Sequence, residues 1–160
     1  MSAIMTLLIL AQSMPYYADA CLSTTTRVAT TTTALCCTAL STSNPVRVTA
    51  PAGTPGAALD ECAVLRRIQR GSCPSTAQIV CSAARNMQVS QVILQFLNGN
   101  TVVASATGAT RASATITCTS SGWRVTNTAG TLVAYTSVSC TQQTISGPDF
   151  SYYYSTYTNG

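Results

Sequence analysis

Eight cysteines, Cys21, Cys36, Cys37, Cys62, Cys73, Cys81, Cys118 and Cys140, constrain this chain more than any other feature. Two chemistries use cysteine at this density: structural metal sites and disulfides. A zinc site needs closely spaced ligand pairs of the CxxC kind, completed by further cysteine, histidine or carboxylate. This sequence contains no CxxC, no histidine, and only 4 Asp and Glu in 160 residues. No metal or other cofactor is therefore expected. The cysteines read as up to four disulfides formed in an oxidising compartment.

The N-terminus agrees with that compartment. An apolar run from Ile4 to Ala11 is followed by Ala18-Asp19-Ala20, with small residues where a signal peptidase reads. Residues 1–20 are accordingly expected to be a signal peptide cleaved before Cys21. A buried N-terminal helix is the competing reading, since the leader lacks its usual Lys or Arg. Ala18 and Asp19 fit a lipobox badly. No other apolar run approaches the ~20 residues of a spanning helix. The C-terminus, YYYSTYTNG, is not a lipid-anchor tail. A secreted protein without a membrane span is expected.

All 8 cationic residues are arginine, and the formal net charge is +4. Removing Asp19 with the leader raises it by one. With 8% charged residues and abundant Thr, Ser and Ala, the surface should be hydroxyl-rich, and no cationic cluster is large enough to suggest nucleic-acid binding.

Residues 21–43 are dominated by threonine, in the tracts Thr24–Thr26 and Thr30–Thr33. Such an arm is a candidate for O-linked sugar, or equally for β-structure. Asn44-Pro45 and the stretch APAGTPG (50–56) supply turns. AQIVC (77–81) reads as a short strand. In VSQVILQFLNGNTVVASATG (89–108), Val92, Leu94 and Phe96 alternate onto one face. Asn98-Gly99 then turns the chain, and TVVASA returns as the second strand of a hairpin.

The stretch 114–140 reads as three antiparallel strands. Ala114, Ile116 and Cys118 share a face in the first, and Trp123 and Val125 alternate in the second. In the third, Leu132, Ala134, Thr136, Val138 and Cys140 are expected to share a face. Trp123, the single tryptophan, reads as a core residue near a disulfide, the alternative being a platform on which a ligand stacks. Tyr152, Tyr153, Tyr154 and Tyr157 crowd the C-terminus. They read as a disordered or edge-strand tail, or as an adhesive or cross-linking one.

These features together resemble the six-cysteine domain of nematode secreted proteins, an extracellular family without established catalytic residues. The resemblance rests on Asp60-Glu61-Cys62, Ile79-Val80-Cys81, Thr117-Cys118 through Gly122-Trp123, and Ser137-Val138-Ser139-Cys140, and covers roughly residues 36–141. It implies an all-β, disulfide-stapled antiparallel β-sandwich, Ig-like in architecture. The expected layout is a signal peptide at 1–20, a Thr-rich arm at 21–43, the six-cysteine domain at 44–141 and a Tyr-rich tail at 142–160. Against a six-cysteine pattern, Cys21 and Cys73 are the extra pair, which suggests a Cys21–Cys73 bridge. Cys36 and Cys37 should not bond to each other, because adjacent Cα atoms sit too close for an unstrained disulfide. Each should reach a different partner, one of them Cys62. Eight cysteines allow 105 pairings.

Catalysis is not expected. Without histidine or lysine, the usual bases for a serine or cysteine nucleophile are missing. Asp60 and Glu61 are sequence neighbours and cannot face each other across a strand. No phosphate loop is present. The stretch LRRIQRG (65–71) reads as a loop whose Arg66, Arg67 and Arg70 are either simply solvated or a contact for anionic glycan. Arg67-x-x-Arg70 also matches a minimal secretory convertase site. The expected function is a non-catalytic extracellular module that binds protein or glycan or builds a surface layer. The alternative is a secreted effector or defence protein acting on foreign surfaces.

Overall fold

The computed structural model describes residues 35–147, and they form nine strands in two sheets with no helix. The strands are β1 (Val46–Arg47), β2 (Val64–Ile68), β3 (Thr76–Ser82), β4 (Gln88–Asn98), β5 (Thr101–Gly108), β6 (Arg111–Thr119), β7 (Gly122–Thr126), β8 (Leu132–Ala134) and β9 (Ser137–Ser146). One sheet has the order β1-β9-β4-β5, the other β2-β3-β6-β7-β8. All pairings are antiparallel except β1 with β9, which is parallel. The all-β sandwich expected from the sequence is the observed architecture.

Alternation builds the core. Val92, Leu94 and Phe96 of β4 are fully buried and meet Ala77, Ile79 and Cys81 of β3, Ile116 of β6 and Val125 of β7. Burial of each large side chain among them, such as Leu94, Phe96 or Ile116, contributes about 1.5–3 kcal/mol. The alternate positions of β4 are buried as well. Ile93, Gln95 and Leu97 are at most 3% exposed, because residues 50–60 fold over the outer face of the four-stranded sheet. There Thr54 Oγ1 lies 3.3 Å from Gln95 Oε1, and the backbones of Asp60 and Gln142 exchange two hydrogen bonds of 2.9 Å. Gly56 makes this close approach possible. A Cβ on it would meet Gln95 Oε1 at 2.5 Å and Thr141 Oγ1 at 2.9 Å.

The β4–β5 hairpin is present with its turn one residue later than read. Asn98 pairs with Thr101, so Gly99 and Asn100 form the loop, and Gly99 takes a φ of 61°. The stretch 132–140 is not a single strand. The chain leaves β8 at Tyr135, crosses between the sheets, and enters β9 at Ser137. The alternation slips by one residue at this crossing. Val133 and Tyr135 pack on the core before it and Val138 and Cys140 after it, while Leu132 and Thr136 are exposed.

Among the described residues, three disulfides staple the sandwich: Cys36–Cys73, Cys37–Cys118 and Cys81–Cys140. The last joins β3 of one sheet to β9 of the other in the middle of the core. As read, Cys36 and Cys37 take different partners, but the pairing expected for Cys73 is overturned: it bonds Cys36, with Cα atoms 4.6 Å apart. The segment around Cys36 runs beside the loop after β2, where Leu40 N–H donates to Gln69 Oε1 at 2.9 Å. Cys62 bonds neither Cys36 nor Cys37. It is exposed at the opposite end of β2 from Cys73 and pairs with none of the described cysteines. Cys21, the Thr tracts, the leader and the four C-terminal tyrosines lie outside the described residues.

Candidate functional site

The five-stranded sheet has one face in the core and one outside, and β pairing fixes which side chains share the outer one. Directly paired residues project together, and residues two apart repeat on the same side. Because Cys81 and Ala112 face the core, their neighbours Ser82 and Arg111, paired to each other, face out. Across the sheet this gives successive rows of Val64, Ser82 and Arg111, then Arg66, Val80 and Ser113, then Ile68, Gln78 and Thr115. A further row holds Thr76, Thr117, Arg124 and Ala134.

This face carries three arginines, a run of hydroxyl and amide side chains, and no carboxylate. Arg66, Arg111, Gln78, Ser113 and Thr115 are exposed, while Val80 is buried between its paired neighbours Arg66 and Ser113. At ordinary strand spacing, Arg66 and Arg111 lie about 12 Å apart at their Cα atoms, and Arg124 about 20 Å from each. The acids Asp60 and Glu61 are elsewhere. Asp60 bridges to Gln142 on β9, and its Oδ2 accepts from Thr144 N–H at 3.3 Å.

Of the three arginines read as a cluster, the structure turns Arg67 away from Arg66. Arg66 lies on the outer face of β2, and Arg70 is exposed two residues past its end. Arg67 projects the other way and is half-buried. Its Nε donates to Pro45 O at 3.0 Å, and its Nη2 reaches the same carbonyl. Burial, and after it the nearby Arg47 cation, holds the Arg67 guanidinium below its usual pKa. Arg47 is similarly occupied, donating to Ala63 O at 3.0 Å, to Cys140 O at 2.7 Å and to Glu61 O. These two side chains tie β1 and the residues before it to β2 and β9. Much of the segment read as a loop is strand, and a convertase would have to extract Arg67 from it.

Arg111 and Arg124 were not singled out in the sequence. Each is isolated among polar residues, and only the register of β3, β6 and β7 brings them onto one surface with Arg66. The alternation of TITC and WRV contained the parity that puts Arg124 opposite Trp123. Trp123 itself is half-buried against the core and pairs directly with Cys118 of the Cys37–Cys118 bridge. Its Nε1–H donates to Thr38 O at 2.8 Å.

Among the described residues, no group of three or more His, Cys, Asp or Glu is placed to hold a metal ion. No helix in the same residues is long and apolar enough to cross a membrane. No family model, curated protein or solved structure matches the chain.

Proposed function

We propose that this protein is a secreted, non-catalytic extracellular module that binds an acidic glycan on the outer face of its five-stranded sheet. The observation that carries this reading is the convergence of Arg66, Arg111 and Arg124 on one hydroxyl-rich surface without an acid. Guanidinium groups pair with sulfate or carboxylate through two parallel hydrogen bonds. The Gln, Ser and Thr side chains between them suit the hydroxyls of a sugar chain. A flat sheet face with cations about 12–20 Å apart fits an extended polyanion better than a small enclosed substrate.

Three disulfides support an oxidising, extracellular setting. The absence of histidine and lysine from the sequence supports a binding role over a catalytic one.

The test is retention on immobilised heparin, followed by calorimetry with a heparin oligosaccharide. The Arg66→Ser, Arg111→Ser, Arg124→Ser triple variant should bind on the order of a hundredfold more weakly. Binding should also weaken with added salt, as expected for exposed charges. Unchanged affinity in the folded triple variant would refute this face as the site. Selective lysis of anionic vesicles would favour a defence role instead.

A further inference from the structure

A second site lies at the end of the sandwich, and its chemistry differs from that of the arginine face. The start of β7, the end of β8 and the segment 38–45 enclose an open depression of about 460 Å³, within the size range of small-ligand clefts. Its lining includes Trp123 and Tyr135 together with Thr38, Ser41, Asn44 and Ser121. None of its lining residues is charged.

Both aromatic rings are fixed in advance. The indole Nε1–H of Trp123 is committed to Thr38 O, and Tyr135 meets Phe96 edge to face with ring centroids 5.0 Å apart at 82°. Phe96 is fully buried, so Tyr135 is held by the core. Asn44 is also held: its Nδ2 donates to Ala39 O at 3.1 Å, leaving Oδ1 as an acceptor. The arrangement combines rigid aromatic surface, a positioned amide and hydroxyls, without an ion to neutralise.

We infer that this depression binds a neutral saccharide. A pyranose ring offers apolar C–H faces to an aromatic ring and hydroxyls at its edge, matching both halves of the lining. An anionic sugar would find no cation here, which separates this site from the arginine face. The inference does not depend on that face being functional.

The single tryptophan of the chain lies in the site, so its fluorescence reports occupancy directly. Titrating the full secreted protein with maltotriose, cellotriose and chitotriose should give a saturable change in emission with at least one of them. Ser121→Tyr, at an exposed turn position, should fill the depression without disturbing the fold and weaken that binding about tenfold or more. Tyr135→Phe, which preserves the contact with Phe96, should weaken it less. The Arg66, Arg111, Arg124 triple variant should leave it unchanged. No emission change with any of the three sugars, or a change that survives Ser121→Tyr in full, would overturn the assignment.

Discussion

Cys81 and Cys140 are bonded across the two sheets, with an S–S distance of 2.06 Å between residues that are 0% and 1% exposed. Their separation of 59 residues makes this bridge a strong constraint on the unfolded chain. The Cys81→Ala, Cys140→Ala double variant should lose about 4 kcal/mol in equilibrium urea unfolding. A loss below about 1 kcal/mol would mean that the apolar contacts between the sheets suffice without it.

Gly56 is the point where the covering loop touches the four-stranded sheet. Gly56→Ala places a methyl group against Gln95 and Thr141, both buried. The expected cost is about 1–3 kcal/mol by overpacking, read as a lower thermal midpoint. A neutral result would show that the loop rests on the sheet loosely enough to shift.

Arg66 and Arg67 are sequence neighbours with opposite roles. Arg67→Met removes the bonds to Pro45 O and should cost about 1–2 kcal/mol of stability, with heparin affinity unchanged. Arg66→Met should leave stability within about 0.5 kcal/mol and weaken heparin binding. Paired unfolding and binding measurements on the two variants separate these roles. The reverse pattern would contradict the placement of both side chains.

Tyr135 gives a pH signature. Burial pushes its pKa up to about 12, so the folded state keeps a proton that the unfolded chain releases near pH 10. Stability contributed by this group is complete below pH 10 and is lost as pH rises toward 12. Tyr135→Phe should show a shallower loss over the same interval. A spectrophotometric titration of the native protein should show a tyrosine step at about pH 12, and that step should vanish in the variant.

How much of this was legible in the sequence depended on whether a feature was local. The alternation of Val92, Leu94 and Phe96 announced β4 and its inner face. Burial of Ile93 and Leu97 on the opposite face was not visible, because it depends on a loop from another part of the chain. The run from Leu132 to Cys140 misled for a similar reason. Its alternation looks unbroken in the sequence, yet the crossing at Tyr135 shifts the phase, so Leu132 and Cys140 do not share a face. Disulfide pairing failed at Cys73 because counting against a six-cysteine pattern ignores which loops pack together. The arginine surface was visible only at Arg66, since Arg111 and Arg124 join it through strand register.

The most direct test of the proposed glycan-binding face is a backbone amide chemical-shift map recorded while a heparin tetrasaccharide is added. Shifts should concentrate at Arg66, Gln78, Arg111, Ser113, Thr115 and Arg124, with Val138 and Thr141 of the other sheet unmoved. Shifts centred on the four-stranded sheet, or none at saturating sugar, would contradict it.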